Sequence, residues 1–317
     1  MIEFRELKVP IGIRSLRTAN LYFITNGKRG ALIDTGMSPD TLEFLRKNGV
    51  EVDEIGEIML THLHFDHIGG AANLQKSLSV RVYMGKLDAE IISRMMSDPE
   101  GYLKNEISYL KYLGLPDNEV DIAAKVNPVK ETYKEAAAID EITPLDENST
   151  FLGFPEISIL DVPGHTPGST AFIVKDQNFV FTGDHIIERI TPNISYYDDD
   201  SDMLGMYLKS LLKLQSTGIQ TGYSGHGPEI DNLSYRIEDL LAHHKLRLAE
   251  INAQCDDWRT PFEISGRIRW NRGRTINDMN GMERIFAIGE TLAHLRHLEK
   301  IGLISKSERS GRIVYKK

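Results

Sequence analysis

The sequence predicts an α+β fold, in which short buried strands are interspersed with amphipathic helices. Two observations support this prediction. Residues 20–25 and 30–34 are apolar runs separated by Asn26-Gly27, a pair typical of a tight turn, and together they predict a β-hairpin. From about residue 88 to residue 140, by contrast, apolar residues recur at intervals of three and four, which is the spacing of helices.

The remaining elements follow the same two patterns in chain order. Ser38-Pro39-Asp40 supplies an N-cap, a proline and an acidic residue, and predicts the start of a helix that ends at Gly49. Helical spacing returns at 203–215 and 233–252, and we expect His243-His244 to lie on the surface of the second of these helices. Apolar runs of strand length occupy residues 58–60, 80–83, 157–162, 171–174 and 178–182.

The composition is that of an ordinary globular protein. Of the 317 residues, 41% are hydrophobic and 26% are charged, which excludes the disordered and fibrous classes. The net charge of −9 gives no general attraction to nucleic acid or anionic membranes. Cys255 is the only cysteine, and no apolar run is long enough to span a bilayer. We therefore expect no disulfide, no membrane association and a cytoplasmic location.

One short segment, residues 62–67, contains three histidines and one aspartate in the pattern H-x-H-x-D-H. Imidazole nitrogen and carboxylate oxygen both suit zinc or a similar first-row ion. His62 and His64 are two residues apart on an extended backbone, so they can point to the same side of it. Asp66 and His67 follow just past the turn, where they can reach a second ion.

This pattern resembles the signature of the metallo-β-lactamase superfamily, and the further parts of that signature occur in the order that the family requires. The resemblance covers about residues 15–235 and implies a four-layer αββα sandwich. The further parts are Asp34 in LIDTG, His165 in PGHTPG, Asp184 in FTGD and His226 in SGHGP.

The resemblance also implies two divalent metal ions and their ligands. Zinc is the first candidate, with iron and manganese as alternatives. Asp34 would orient metal ligands through hydrogen bonds. One ion would be held by His62, His64 and His165, the other by Asp66, His67 and His226, and Asp184 would bridge both.

A protein with these ligands is expected to be a binuclear metal-dependent hydrolase. A hydroxide shared by the two ions would attack the substrate, with Asp66 and Asp184 as the catalytic carboxylates. The positive centre would favour a small anionic or acyl substrate.

Polar side chains that the metals do not need are candidates for substrate binding. Arg189 can bind a carboxylate or phosphate through two parallel hydrogen bonds, although a surface salt bridge is an equal alternative. Tyr223 is a candidate hydroxyl donor to the substrate, and the adjacent tyrosines 196–197 are alternatives to it.

The helical pattern at residues 88–140 predicts an insertion into the family's core. Its position between the ligand motifs predicts a lid over the metals, with an apolar substrate pocket beneath it. The alternative is a helical hairpin that packs on the outside. The side chains expected to line the pocket include Met95, Met96, Tyr102 and Tyr109.

The chain is predicted to divide into a catalytic domain, residues 1–235, and a helical linker with a winged-helix-like domain, residues 236–317. Residues 291–304 resemble the last helix of a winged helix, and residues 305–317 resemble its wing hairpin. From residue 258 onward, 13 basic residues stand against 6 acidic ones, a net charge of +7 that would fit a phosphate backbone. The alternative is packing or homodimer formation. We expect deletion of residues 258–317 to affect stability or oligomerisation more than the chemistry.

Three functions remain open. The first is hydrolysis of a small ester, thioester or lactone, as in the glyoxalase II-like branch of the superfamily. The second is a metal-dependent nuclease or phosphodiesterase, because a β-lactamase-like endoribonuclease family combines this fold with a similar winged helix. The third is a metal-containing regulatory protein, either redox-active or DNA-binding. A lid over the metals favours the first function, because a folded RNA would not reach the metals.

Overall fold

The structure is a computed structural model, and no helix in the part of the chain that it describes is both long and apolar enough to cross a membrane. The predicted helix start at Ser38-Pro39 lies outside the described residues. The described residues are 1–11, 16–37, 40–151, 153–198 and 201–317, apart from the side chain of Arg272.

Six of the described strands form the first sheet, in the spatial order in which they occur in the chain. They are β1 (Glu3–Pro10), β2 (Thr18–Thr25), β3 (Gly30–Ile33), β4 (Ile55–Leu60), β5 (Arg81–Gly85) and β6 (Thr143–Leu145). The predicted hairpin is β2 and β3, which pair antiparallel, whereas β3 to β6 run parallel. Both β3 and β4 end directly before the residues of the predicted site.

The second sheet contains four of the described strands. They are β7 (Ser158–Asp161), β8 (Thr170–Val174), β9 (Phe179–Gly183) and β10 (Thr221–Ser224). The sheet order is β10-β9-β8-β7, with β9 and β10 parallel and the other pairs antiparallel. The sequence predicts β7, β8 and β9, but it gives little sign of β10, because that strand has only four residues and no apolar run.

The described helices surround these two sheets. Before the second sheet begins, the chain forms α1 (Thr41–Lys47), α2 (Phe65–Ile68), α3 (Ala71–Leu78), α4 (Lys86–Ser97), α5 (Pro99–Tyr112), α6 (Asp117–Val126) and α7 (Val129–Ala136). After β9 it forms α8 (Met203–Gln215), α9 (Leu233–Ala253), α10 (Pro261–Ser265) and α11 (Gly281–Lys300).

Four layers result from the way these elements bury their apolar faces. An aromatic core that includes Tyr22, Phe172 and Phe181 lies between the two sheets. Apolar residues of α1 and α3 pack on the outer face of the first sheet, and those of α8 and α9 pack on the outer face of the second. The αββα architecture implied by the sequence resemblance is therefore confirmed.

The insertion is helical, as predicted, and consists of α4 to α7. Ile91 and Met95 of α4 belong to the core of the first sheet. Leu110, at the end of α5, belongs instead to a core shared with Trp270 and Tyr315 near the C-terminus. The insertion therefore connects the sandwich to the C-terminal segment.

In the C-terminal segment, α11 begins at Gly281, well before the predicted residue 291. A capping box between Asn280 and Glu283 sets this start. Strands β11 (Ser305–Arg309) and β12 (Arg312–Lys316) form the predicted hairpin. Because α11 is buried along most of its length, it packs against the rest of the chain. The winged-helix assignment stays a prediction, as does the domain boundary after residue 235, which falls inside α9.

Candidate metal centre

The seven predicted metal ligands lie in or beside loops that follow strands. Loops held by a rigid sheet keep their side chains in fixed positions. The side chains form three overlapping groups, and the ligand atoms within each group lie within 4.8 Å of one another. The ligands are His62 and His64 after β4, Asp66 and His67 in α2, His165 between β7 and β8, Asp184 after β9, and His226 after β10.

Three imidazole nitrogens converge in the first group. The Nδ1 atom of His64 lies 3.1 Å from Nε2 of His62 and 3.0 Å from Nε2 of His165. The outer nitrogens have other partners: Nδ1 of His62 lies 3.0 Å from the Thr61 hydroxyl, and Nδ1 of His165 donates to the carbonyl oxygen of Asn193 at 2.9 Å. The inner nitrogens of His62 and His165 therefore present lone pairs. A divalent cation can bind all three inner nitrogens at once.

The other two groups share His67 and together form what we call the second group, which combines carboxylates with imidazoles. The Nε2 atom of His226 lies 3.3 Å from Oδ2 of Asp66 and 3.3 Å from Oδ2 of Asp184. Both this atom and Nε2 of His67 are buried and have no hydrogen-bond partner among the described residues, and the same is true of Oδ1 of Asp184. Oδ2 of Asp184 also lies 3.9 Å from Nε2 of His165, so Asp184 occupies a position between the groups. A second cation bound between these atoms would supply the partner that they lack.

Asp34 orients two of the candidate ligands, His67 directly and His62 through Thr61. Its Oδ1 atom accepts a hydrogen bond from the backbone nitrogen of Thr61 at 2.8 Å. Its Oδ2 atom accepts from the Thr61 hydroxyl and pairs with Nδ1 of His67, both at 2.8 Å. Because the Thr61 hydroxyl donates to Asp34, it accepts from His62. Both imidazoles are thus held with Nε2 toward the centre, which is the orienting role that the sequence resemblance implies.

The two groups differ in their protonation. Burial and the neighbouring histidines lower the pKa of His64 to about 3, so its imidazole is neutral, as metal binding requires. Burial also acts to lower the pKa of His226, but the Asp184 and Asp66 carboxylates outweigh it and raise this pKa to about 10. The second group therefore attracts positive charge, which a metal ion would supply in place of the proton.

Asp88 connects two of the ligand loops, and the sequence gives no sign of this role. Its Oδ2 atom accepts from the backbone nitrogen of Leu63 at 2.9 Å and from the Thr166 hydroxyl at 2.7 Å. Its Oδ1 atom accepts from the backbone nitrogen of Gly168 at 2.6 Å. A Cβ atom at Gly168 would lie 2.3 Å from the backbone nitrogen of Asp88, so glycine is required for this approach. The loop of His62 and His64 is thereby held to the loop of His165.

A cavity of about 300 Å³ opens over the candidate ligands His64, Asp66, His165 and Asp184. Its walls are mainly apolar, and they come from the insertion, from residues 187–197 and from the first turns of α11. The apolar side chains in these walls include Ile91, Met95, Val129, Ile187, Ile285 and Phe286. The arrangement is that of a small-molecule site with its polar groups at one end.

Two predicted substrate contacts do not lie at this cavity. Arg189 is exposed and is not among the lining residues. Tyr223 packs its ring against Phe4 and Phe179, at centroid distances of 4.6 and 5.5 Å, beside the aromatic core between the sheets. The alternatives, Tyr196 and Tyr197, do line the cavity. The structure therefore gives no support to Arg189 and Tyr223 as substrate contacts, and that role stays a prediction.

The expected lining from the insertion is correct in part. Met95 and Tyr102 line the cavity. Met96, the next residue, is 37% exposed and points elsewhere. Tyr109 packs against Tyr196, with 4.7 Å between the ring centroids, and is not part of the wall. In the insertion, α4, α5 and α7 each contribute one face to the cavity wall, whereas no residue of α6 lines it.

The structure also contradicts the predicted position of one histidine outside the candidate metal centre. His244, expected at a helix surface, is buried, and its Nδ1 atom lies 3.2 Å from Nε2 of His294 on α11. Its position follows from the packing of α11 on α9, which the local pattern of α9 does not reveal.

Comparisons with known proteins agree with the fold. The lactamase-like protein aptB of Emericella nidulans is 23% identical over 261 residues, which are 81% of this chain and 66% of that protein. A protein of Aspergillus aculeatus named atrochrysone carboxyl ACP thioesterase is 25% identical over 273 residues, which are 84% of this chain and 66% of that protein. The chain thus spans slightly less than two thirds of the length of these relatives.

Two solved structures are similar over nearly the whole chain. A metallo-β-lactamase family protein from Thermus thermophilus has a TM-score of 0.82 and 26% identity, with 99% of this chain and 98% of that chain covered. A β-lactamase domain protein from Burkholderia ambifaria has a TM-score of 0.84 and 22% identity, with 99% and 92% covered. The sequence model of the metallo-β-lactamase superfamily matches residues 14–226. This chain therefore belongs to the metallo-β-lactamase superfamily.

Proposed function

We propose that the protein is a binuclear metal-dependent hydrolase of small acyl thioesters or esters, with lactones as related substrates. The observation that carries this proposal is the position of the converging histidines and carboxylates at one end of a covered, mainly apolar cavity. The polar end suits the reacting carbonyl, and the apolar walls suit an acyl chain.

The metal ligands are proposed as two sets. Divalent ions held by these sets would polarise the substrate carbonyl and make hydroxide available near neutral pH. Zinc is the first candidate, and iron or manganese would accept the same ligands. The sets are His62, His64 and His165 for one ion, Asp66, His67 and His226 for the other, and Asp184 between them.

Other side chains hold the ligands and the substrate in place. The Tyr197 hydroxyl lies 3.0 Å from Nε2 of His64, which fixes the ring with Nδ1 toward the centre. Ile91, Met95 and Ile285 would bury the acyl chain and exclude water from the reacting group.

The names of two relatives support the choice of substrate. Proteins of Aspergillus aculeatus and Aspergillus fumigatus that resemble this chain are both named atrochrysone carboxyl ACP thioesterase. A thioester links an acyl group to a thiol, so the proposed apolar cavity would receive the acyl part. The packing of α11 supports the same choice over nucleic acid, because its buried Arg296 and His294 are not free to enter a DNA groove.

A panel of substrates on metal-loaded protein tests this proposal. We expect turnover of acyl thioesters or aryl esters, little cleavage of phosphodiesters or single-stranded RNA, and close to two metal ions per chain by elemental analysis. Asp184→Ala should abolish turnover without unfolding the protein, because the carboxylate between the two ligand sets is lost. The matched control is Asp121→Ala, an exposed aspartate on α6, which should retain full activity.

Two results would contradict the proposal. RNA cleavage that depends on Asp184, without ester or thioester turnover, would favour the nuclease alternative. A metal content below one ion per chain after reconstitution would remove the binuclear centre.

A further inference from the structure

One charged side chain in the cavity wall has no role in the proposed chemistry. Glu106 lies on α5 of the insertion and lines the cavity together with Tyr196 and Tyr197. Its Oε2 atom accepts one long hydrogen bond, from the Tyr196 hydroxyl at 3.4 Å. No basic side chain among the described residues forms an ion pair with it. Glu106 is therefore a carboxyl group without a compensating charge.

Glu106 is half-buried, whereas two fully buried carboxyl groups near the site are largely satisfied by the protein. Asp34 and Asp88 each accept three hydrogen bonds within the described chain. A carboxylate can accept about four, so the described protein groups use only a small part of the capacity of Glu106. Burial raises the pKa of Glu106 to about 7, which reflects the unfavourable surroundings of its charge. An apolar residue would make a more stable wall, so the presence of a carboxyl points to a partner outside the chain.

The neighbouring tyrosines indicate where such a partner would bind. The Tyr197 hydroxyl contacts His64 at the metal centre, whereas the hydroxyl of the adjacent Tyr196 contacts Glu106. The two tyrosines therefore connect the reacting end of the cavity to the carboxyl. A substrate whose carbonyl lies at the ligands would extend its acyl chain along this pair toward Glu106.

We propose that Glu106 selects acyl substrates that carry a hydroxyl or amino group on the acyl chain, away from the carbonyl that is cleaved. Both groups donate hydrogen bonds to a carboxylate, and a protonated amine also balances its charge. Glu106 is thus a specificity-determining residue and takes no part in bond cleavage. This assignment rests on the proposed hydrolysis of acyl compounds.

The test compares N-acetylcysteamine thioesters of butanoate, hexanoate and octanoate with their ω-hydroxy and ω-amino derivatives, on metal-loaded full-length protein. At one or more of these lengths, the wild type should hydrolyse the ω-hydroxy or the ω-amino substrate with a kcat/KM about tenfold above that of the plain substrate, as expected for one hydrogen bond to a charged group. Glu106→Leu should remove this preference. Glu106→Gln should keep a preference for hydroxyl but not for amine, because its amide oxygen accepts a hydrogen bond without charge.

The control is Glu100→Leu, an exposed glutamate on the same helix, which should leave the substrate ratios unchanged. Thermal unfolding separates recognition from a structural role. Glu106→Leu is expected to be at least as stable as the wild type, because a half-buried carboxyl without an ion-pair partner is removed. A less stable Glu106→Leu variant with unchanged substrate ratios, or a wild type without preference at any chain length, would overturn the proposal.

Calorimetric titration with the corresponding amides measures binding alone. It therefore tests recognition by Glu106 separately from the proposed hydrolysis. Hexanamide and its ω-hydroxy and ω-amino derivatives report binding without turnover. If no thioester is hydrolysed, but tighter binding of an ω-substituted amide depends on Glu106, the proposed function fails and the recognition site stands. If thioesters are hydrolysed and neither measurement depends on Glu106, the recognition site fails and the proposed function stands.

Discussion

Asp34 adopts a left-handed backbone conformation, with a φ angle of +57°. A non-glycine residue pays about 1–3 kcal/mol for such a conformation, and it persists only where the surroundings hold it. The hydrogen bonds from Thr61 and His67 provide that hold. The same contacts orient the candidate ligands. The unfavourable backbone conformation of Asp34 is therefore part of how the site is held in place.

Asp34→Asn tests this role without changing the backbone preference, because asparagine tolerates the left-handed region. We expect metal affinity to fall by roughly 10- to 100-fold, since Nδ1 of His67 loses its carboxylate partner. Competition with a chromophoric chelator measures the affinity. Asp121→Asn, on the exposed face of α6, is the control and should bind metal normally. Unchanged affinity in Asp34→Asn would mean that His67 is oriented by other contacts.

Among individual residues, the sequence predicts the seven candidate ligands, which the structure brings together, and the supporting residue Asp34, but it does not predict the other supporting residues. The ligands His62 to His67 are adjacent in the chain, and His165 and His226 each lie in a recognisable glycine-rich motif. Asp88 and Glu106, by contrast, acquire their roles from contacts with residues far away in the chain. A single acidic residue in a helical pattern carries no local signal of such contacts.

Among the elements, α4 and α11 both contribute side chains to the cavity wall. Met95 of α4 lines the cavity, whereas Met96 is partly exposed. From α11, residues Met282, Ile285 and Phe286 line it, at the spacing of one helix face. The sequence contains this spacing, but the charged residues between them obscure it. The contribution of the C-terminal segment to the cavity was therefore not predicted.

The adjacent methionines provide a matched pair of variants. Met95→Ala should raise KM for octanoyl thioesters by about tenfold or more and change KM for acetyl thioesters little, because only the longer chain reaches the lost side chain. Met96→Ala should leave both values unchanged. Steady-state kinetics after a check of folding by circular dichroism provides the measurement. An equal change in both variants would place the acyl chain elsewhere.

The position of α11 also changes the expectation for deletion of residues 258–317. Removal of this segment would take away Ile285 and Phe286 from the cavity wall. We therefore expect any active protein that remains to have an altered substrate preference as well as lower stability. The same panel of thioesters, applied to the truncated protein, measures this change.

Over the whole molecule, the C-terminal segment is joined to the sandwich by a buried polar contact. His244 of α9 and His294 of α11 are both fully buried and lie 3.2 Å apart. Burial and the neighbouring basic groups, which include Arg247 and His243, lower the pKa of His244 to about 2 and that of His294 to about 3. Both imidazoles are therefore neutral in the folded protein.

This pair predicts how stability depends on pH. Below about pH 6.5, the ordinary histidine pKa, the unfolded chain binds protons that the folded chain excludes. The contribution of the pair to the free energy of unfolding is thus complete above that pH. As the pH decreases toward 3, this contribution falls by up to about 1.4 kcal/mol per pH unit for each histidine. Urea unfolding of metal-free protein at several pH values measures this slope.

In the double variant His244→Phe with His294→Leu, the free energy of unfolding should decrease less steeply with falling pH than in the wild type below pH 6.5. His243→Leu is the control, because His243 is the neighbour that is only partly buried. If the double variant and the wild type lose stability in parallel, the acid sensitivity comes from other groups.

The contacts around Asp88 bear on how the substrate range of the proposed hydrolase can diverge. The insertion leaves the first sheet at β5 and returns to it at β6, the strand that pairs with β5. Its departure point is fixed, because a Cβ atom at Gly85 would lie 2.0 Å from the carbonyl oxygen of Gly168. Helices between two anchored ends can be lengthened, shortened or exchanged without displacing those ends. Grafting α5 to α7 from a relative should therefore transfer its acyl preference while metal content stays the same, so new specificities can arise by replacement of one segment.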